Sequence, residues 1–207
     1  MMISQTLDKL SEMHLGAMAA EYRRQAELPA MSELGFEERF SMVVDAQWLY
    51  RNNAKLKRLL KQADLSEPHA CLADIDYDPV RKLDRAQIAR LSYLDFVRQG
   101  QDILITGATG TGKSFIASAL GHEACCAGMT VRTFRVSRLL TNLAIGRGDG
   151  SYNKLMDELK KPQLLILDDF GLEPLDPTGS RDLYEVIYER HGLRSTIMTS
   201  QLPVAMW

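Results

Sequence analysis

At 207 residues the chain is long enough for one sizeable hydrophobic core and leaves room for a second, smaller domain. Hydrophobic residues make up 45% and charged residues 25%, an ordinary folded-protein balance that argues against disorder. The formal net charge of −2 excludes a generally basic nucleic-acid binder, so any surface for a polyanion has to be local. Cys71, Cys125 and Cys126 have no metal-ligand spacing, and their odd number together with the lack of a signal peptide points to a cytoplasmic location. No apolar run approaches the ~18 residues needed to cross a bilayer, so no membrane partner is expected.

In chain order, the first elements are helical. Ile3, Leu7, Leu10, Met13 and Met18 recur at roughly helical spacing, as do Phe36, Phe40, Val43 and Val44, with Pro29 between the two stretches. Residues 46–63 carry Arg51, Lys55, Lys57, Arg58 and Lys61 and no acid, while Leu49, Leu56, Leu59 and Leu60 supply an apolar side. The expected domains are a helical one over 1–66, a linker over 67–83 broken by Pro68 and Pro79, and a second domain over 84–207. In that last part, apolar β-rich runs at 102–106, 130–135, 163–168 and 195–200 alternate with helical stretches at 113–126, 137–143 and 180–191. This alternation implies an α/β fold with a parallel sheet sandwiched by helices.

The strongest chemical signal is Gly107-Ala108-Thr109-Gly110-Thr111-Gly112-Lys113-Ser114, a full match to the phosphate-binding pattern G-x-x-x-x-G-K-[S/T]. It follows the run DILIT and opens a helix, the context the pattern needs, which weighs against a chance glycine-rich turn. The glycines allow the backbone to bring its N–H groups close to phosphate oxygens. The helix N-terminus adds partial positive charge. Lys113 can reach the β- and γ-phosphates and Ser114 can ligate Mg2+, so ATP and Mg2+ are the expected cofactors. A second signal is Leu164-Leu165-Ile166-Leu167-Asp168-Asp169, a buried-strand run ending in two carboxylates. Asp168 is expected to hold magnesium, directly or through water. Asp169 either polarises the attacking water, the role expected of it, or caps the turn at Phe170-Gly171. A weaker third signal is the polar end of the 195–200 run, where Ser200 or Gln201 would face the γ-phosphate if that strand lies between the other two.

Taken together, the helical start, DIDYD at 74–78, GATGTGKSFIASALGHEAC at 107–125, LLILDDFGL at 164–172 and STIMTSQLP at 195–203 resemble the IstB-like ATPases. These are transposition helpers of insertion sequences, similar to the DnaC helicase loaders within the AAA+ class of P-loop NTPases. The resemblance implies ATP-dependent homo-oligomeric assembly on double-stranded DNA with a transposase as partner; the alternatives are a helicase loader with a helicase partner, or a non-hydrolysing ATP- or DNA-binding module. It assigns residues 107–114 to ATP, Asp168 to magnesium, Asp169 to the water, Lys113 to catalysis, and Ser200 with Gln201 to a sensor region. It also implies a last sheet strand, a helix with a trans-acting arginine and a small lid beyond Trp207, which leaves the P-loop strand at a sheet edge; Arg190 and Arg194 are not expected to substitute.

Two basic stretches remain. The arginine- and lysine-rich 51–61 segment reads equally as a phosphate-backbone contact or a solvated helix face. Residues 124–148 contain Arg132, Arg135, Arg138 and Arg147, which on the resemblance would line a DNA-facing surface. The trio Asp74, Asp76 and Asp78 does not form a calcium loop, because Pro79 stands where glycine is needed and Arg85 where glutamate is needed; a segment bordering the nucleotide is the better reading.

Overall fold

Strands joined by crossover helices pair in parallel and bury both faces, and the apolar runs of this sequence do so. The computed structural model describes residues 2–81, 83–172 and 174–207. They fall into two compact units, Met1–Lys57 and Arg58–Trp207. The sequence placed its domain boundary at 66, whereas the contact boundary lies within a long helix.

The first unit is helical: α1 (Met2–Glu12), α2 (Gly16–Glu27) and the greater part of α3 (Phe36–Ala63), with a short 3-10 turn at Pro29–Glu33. The start of α2 lacks a side-chain cap of its own. Buried Gln47 substitutes for one, its Oε1 accepting from the Ala17 and Met18 N–H groups at 3.1 and 3.3 Å.

The second unit continues with α4 (Arg85–Ser92), α5 (Asp95–Arg98), β1 (Ile103–Thr106), α6 (Lys113–Cys126), β2 (Val131–Arg135), α7 (Val136–Asp149), α8 (Tyr152–Lys160), β3 (Leu164–Phe170), α9 (Pro177–Arg190) and β4 (Ser195–Ser200). The sheet order is β1-β4-β3-β2, with every pairing parallel. Strand alternation divides β3 between two helical layers. Leu165 and Leu167 pack with Leu139, Leu143, Leu159 and Val186 of α7, α8 and α9. Ile166 points the other way, toward Gly121 of α6, where an added Cβ would stand 2.9 Å from the Ile166 Cδ1. Leu65 reaches the same point, with its Cδ2 2.8 Å from that Cβ position, so the chain following α3 lies against α6.

The sheet follows the expected strands closely, and β1 borders it with Leu104 46% exposed. Helix α8 was not foreseen: at nine residues it is short, and its burial rests on Met156 and Leu159. No helix among the described residues is long and apolar enough to cross a membrane.

Candidate nucleotide site

The β1–α6 connection is built from residues that backbone geometry demands. Gly110 and Gly112 have φ of 79° and 87°, a region that favours glycine. Gly112 is also the N-cap of α6 and provides no side-chain cap, so the first amides of that helix lack a side-chain acceptor at the cap. The Gly107 N–H donates to the Ser200 carbonyl at 3.2 Å, tying the loop to β4. Thr109 Oγ1 donates to Gln201 Oε1 at 2.6 Å, a second tie to the same strand end. Within the loop, Thr111 Oγ1 and Lys113 Nζ both donate to the Ala108 carbonyl, at 2.9 and 2.8 Å. Lys113 is buried, which holds its ammonium over the loop instead of in solvent.

Across from the loop, β3 ends in a bulge. Leu167 pairs with Met198 but Phe170 pairs with Ser200, so β3 carries one residue more than β4 between those pairs. Asp169 absorbs the irregularity with φ of 58°. The two carboxylates thereby meet different surroundings. Asp168 is 1% exposed, and hydroxyls surround it: Oδ1 accepts from Ser114 Oγ at 2.8 Å and from Thr199 Oγ1, and Oδ2 accepts from Ser66 Oγ at 2.8 Å. Asp169 is partly open, with its Oδ2 3.1 Å from Arg135 Nε and its N–H donating to Thr199 Oγ1 at 3.1 Å. The loop and the carboxylates thus share one edge, joined directly by the Ser114–Asp168 hydrogen bond.

The profile of the family described as IstB-like ATP binding protein matches residues 8–207. This chain belongs to the IstB-like ATP-binding family. Its relatives include an insertion-sequence ATP-binding protein of Pseudomonas fluorescens (IS1162), 45% identical over 203 residues, with 98% of this chain and 88% of that protein covered. An insertion-sequence ATP-binding protein of Sinorhizobium fredii is 42% identical over 207 residues, covering 100% of this chain and 84% of the relative. Among solved structures, a DNA replication initiation factor matches with TM-score 0.60 and 20% identity over 67% of this chain and 43% of that one. The DnaC helicase loader matches with TM-score 0.55 and 24% identity, over 65% of this chain and 78% of the loader. These likenesses establish the fold, which is that of the AAA+ P-loop ATPases.

In this IstB-like chain the other expected residues divide between the site and the scaffold. Gln201 meets the loop, but the Ser200 hydroxyl is fully buried and donates to the Phe170 carbonyl at 2.7 Å. Alternation along β4 turns Thr199 toward the carboxylates in its place. The 74–83 segment borders the loop: a cavity of about 400 Å3 is lined by Val80, Arg81, Thr106, Gly110 and Lys113 among others. A second cavity, of about 300 Å3, brings Asp74, Ile75 and Asp76 together with Arg81 and Gly112. Lys82 of this segment lies outside the described residues. Arg190 is 1% exposed and donates to the Leu159, Lys160, Pro162 and Ser195 carbonyls, a structural clasp. Burial pushes its guanidinium down to about 10. Arg194 is held by the Lys161 carbonyl. Cys125 is a packing residue on α6, where burial pushes its thiol up to about 12.

Sequence reasoning missed Ser66 and Thr199, and it named Arg135 for a DNA-facing surface but not for its ion pair with Asp169. Thr199 was within reach through strand alternation, and Arg135 through its place at the end of β2. Ser66 had no local signal, since it lies 102 positions from its partner.

Proposed function

We propose that this chain binds ATP with magnesium, hydrolyses it, and in doing so assists a transposase on double-stranded DNA as a homo-oligomer. The observation that carries this reading is the 2.8 Å bond between Ser114 Oγ and buried Asp168, at the head of a helix whose N-cap offers no side chain. A triphosphate suits that helix start, where amides and the helix dipole favour anions. The oxygen pair Ser114 Oγ and Asp168 Oδ1 suits magnesium, which takes few protein oxygens and completes its shell from phosphates and water. When bound, magnesium supplies neutralisation of charge on the β- and γ-phosphate oxygens. Among the described residues no cluster of three His, Cys, Asp or Glu side chains forms a cage, so the carboxylate contribution falls on Asp168.

The chain's own residues then divide the work. Lys113 exchanges the Ala108 carbonyl for phosphate oxygens, and the amides of Gly110 and Gly112 line the phosphates. Asp169 accepts a proton from the water whose oxygen attacks the γ-phosphorus, while the bond to the bridging oxygen breaks and ADP leaves. Arg135 holds that carboxylate at 3.1 Å, and turning it aside opens Asp169 to the water. Gln201, bonded to Thr109, reports the state of the loop to β4, and Ser200 keeps β4 joined to Phe170.

Support for DNA comes from α3, where Arg51, Lys55, Lys57, Arg58 and Lys61 are all exposed and none pairs with a carboxylate among the described residues. Support for a transposase comes from the relatives, which are ATP-binding proteins of insertion sequences. A helicase as partner has only fold likeness below 25% identity behind it. The test is ATP turnover by the full chain with and without duplex DNA. Turnover that rises with DNA and disappears in Lys113→Ala is expected; ATP binding without any turnover would make the chain a passive binding module.

A further inference from the structure

The segment ahead of α4 carries a cation that the phosphate-loop motif does not include. Arg81 lines both cavities beside the loop, the one of about 400 Å3 with Gly110 and Lys113 and the one of about 300 Å3 with Asp76 and Gly112. Its Nη1 stands 3.6 Å from where a Cβ on Gly112 would be, so the guanidinium lies over the N-cap of α6. A cation is unfavourable at that end of a helix, because the dipole there is itself positive. Lys113 brings a second cation to the same cavity. Two cations gathered at a helix start make physical sense with an anion between them.

The bonds of the segment leave this guanidinium exchangeable. Its Nε is 3.4 Å from Asp76 Oδ2, with the two side chains 42% and 62% exposed, and so open a pair contributes little. Asp76 has an anchor of its own, since its Oδ1 accepts from the Asp78 N–H at 3.1 Å. The backbone beneath Arg81 is fixed as well: Asp78 Oδ1 accepts from the Val80 N–H at 2.8 Å, and the Asp78 carbonyl accepts from the Arg81 N–H at 2.9 Å. Nearby Arg85, by contrast, is committed to the face of Tyr77, 4.4 Å from its ring centre. The position of Arg81 also selects a part of the nucleotide. Ser114, Asp168 and Asp169 line neither of its two cavities, so it stands away from the metal and γ-phosphate end of the site.

We propose that Arg81 is a second side-chain cation of the nucleotide site, that it takes the α- and β-phosphates, and that Asp76 competes with those phosphates for it. The inference rests on the reading that the loop binds a nucleotide. It adds a regulatory consequence: the exchange of Asp76 for phosphate couples the 74–83 segment to occupancy of the site. Because the α- and β-phosphates belong to ADP and ATP alike, Arg81 holds product as firmly as substrate.

The test is calorimetric titration of the full chain with ADP and with ATP, each without magnesium so that neither is turned over, at low and high salt. Arg81→Gln is expected to weaken both nucleotides about 10-fold or more at low salt, a deficit that narrows as salt is raised. Arg81→Lys keeps the charge without the fork and is expected to stay within about threefold of the parent. Asp76→Asn keeps the acceptor for the Asp78 N–H but not the competing charge, and is expected to tighten both nucleotides about twofold. Lys154→Gln, an exposed position lining neither cavity, controls for net charge and stays within about twofold of the parent. Parent-like affinity in Arg81→Gln, beside normal binding by the parent, overturns the inference and leaves the proposed function standing. Absence of nucleotide binding by the parent removes both. A deficit that does not change with salt marks lost packing, and one for ATP alone moves Arg81 to the γ-phosphate; either overturns the assignment. Unchanged affinity in Asp76→Asn overturns the competition.

Discussion

The phosphate loop and the carboxylate end of β3 face each other across one hydrogen bond, yet they are built on opposite principles. The loop is main chain: two glycines at positive φ, an uncapped helix start, and a lysine folded back onto its own loop carbonyl. The carboxylate end is side chain: a buried aspartate surrounded by Ser66, Ser114 and Thr199, and a neighbour turned outward by a bulge onto Arg135. A loop built from backbone grips any anion of the right shape. A carboxylate wrapped in hydroxyl donors is fixed in place but depends on residues from three other parts of the chain. Affinity for nucleotide should therefore depend on the loop, and chemistry on the carboxylate end.

The largest expected effect breaks the loop. Lys113→Ala removes the one side-chain cation of the loop, and ATP turnover should fall by about 100-fold or more together with weaker ATP affinity. Steady-state kinetics alongside equilibrium binding check both halves. A variant with normal affinity and normal turnover would mean the lysine serves only to close the loop on Ala108.

Next comes the outward carboxylate. Asp169→Asn keeps the size and the bulge but not the base, and should cut turnover by ~10²–10⁴ while ATP affinity stays within a few-fold. Burst and steady-state measurements separate the two. If affinity falls as far as turnover, then the division of labour between the two regions is wrong.

The smallest effect sharpens the comparison. Ser66→Ala removes one hydroxyl donor from Asp168, and a neutral donor to a charge is worth roughly 1.5 kcal/mol, so turnover should drop by up to about tenfold with the fold intact. A thermal melt and a rate assay on the same preparation decide it. An unchanged rate with a lowered melting temperature would make Ser66 a packing residue.

The same contrast explains what could be read in advance. The loop was legible because its information is local: spacing of glycines, a lysine and a hydroxyl between a strand and a helix. The sheet was legible for a similar reason, since β3 is a continuous apolar run and β4 ends in short polar side chains. Asp168 and Asp169 could be named and given separate roles, but their different surroundings could not be read, because the bulge that separates them is a property of the β3–β4 register. Ser200 was the residue expected at the site, but strand alternation sets it toward Phe170 and its neighbour Thr199 toward Asp168. Ser66 was hidden by distance along the chain. It reaches Asp168 because Leu65 beside it packs against Gly121 of α6, a close approach that only a residue without a Cβ permits at that distance.

The central claim is that loop and carboxylate form one magnesium–ATP site, and the most direct measurement is calorimetric titration of ATP with and without magnesium, on wild type and Asp168→Asn. The account predicts that magnesium strengthens ATP binding in the wild type and that the substitution erases most of this gain, leaving the metal-free affinity nearly unchanged. Equal ATP affinity with and without magnesium in the wild type, or an undiminished gain in Asp168→Asn, would contradict it.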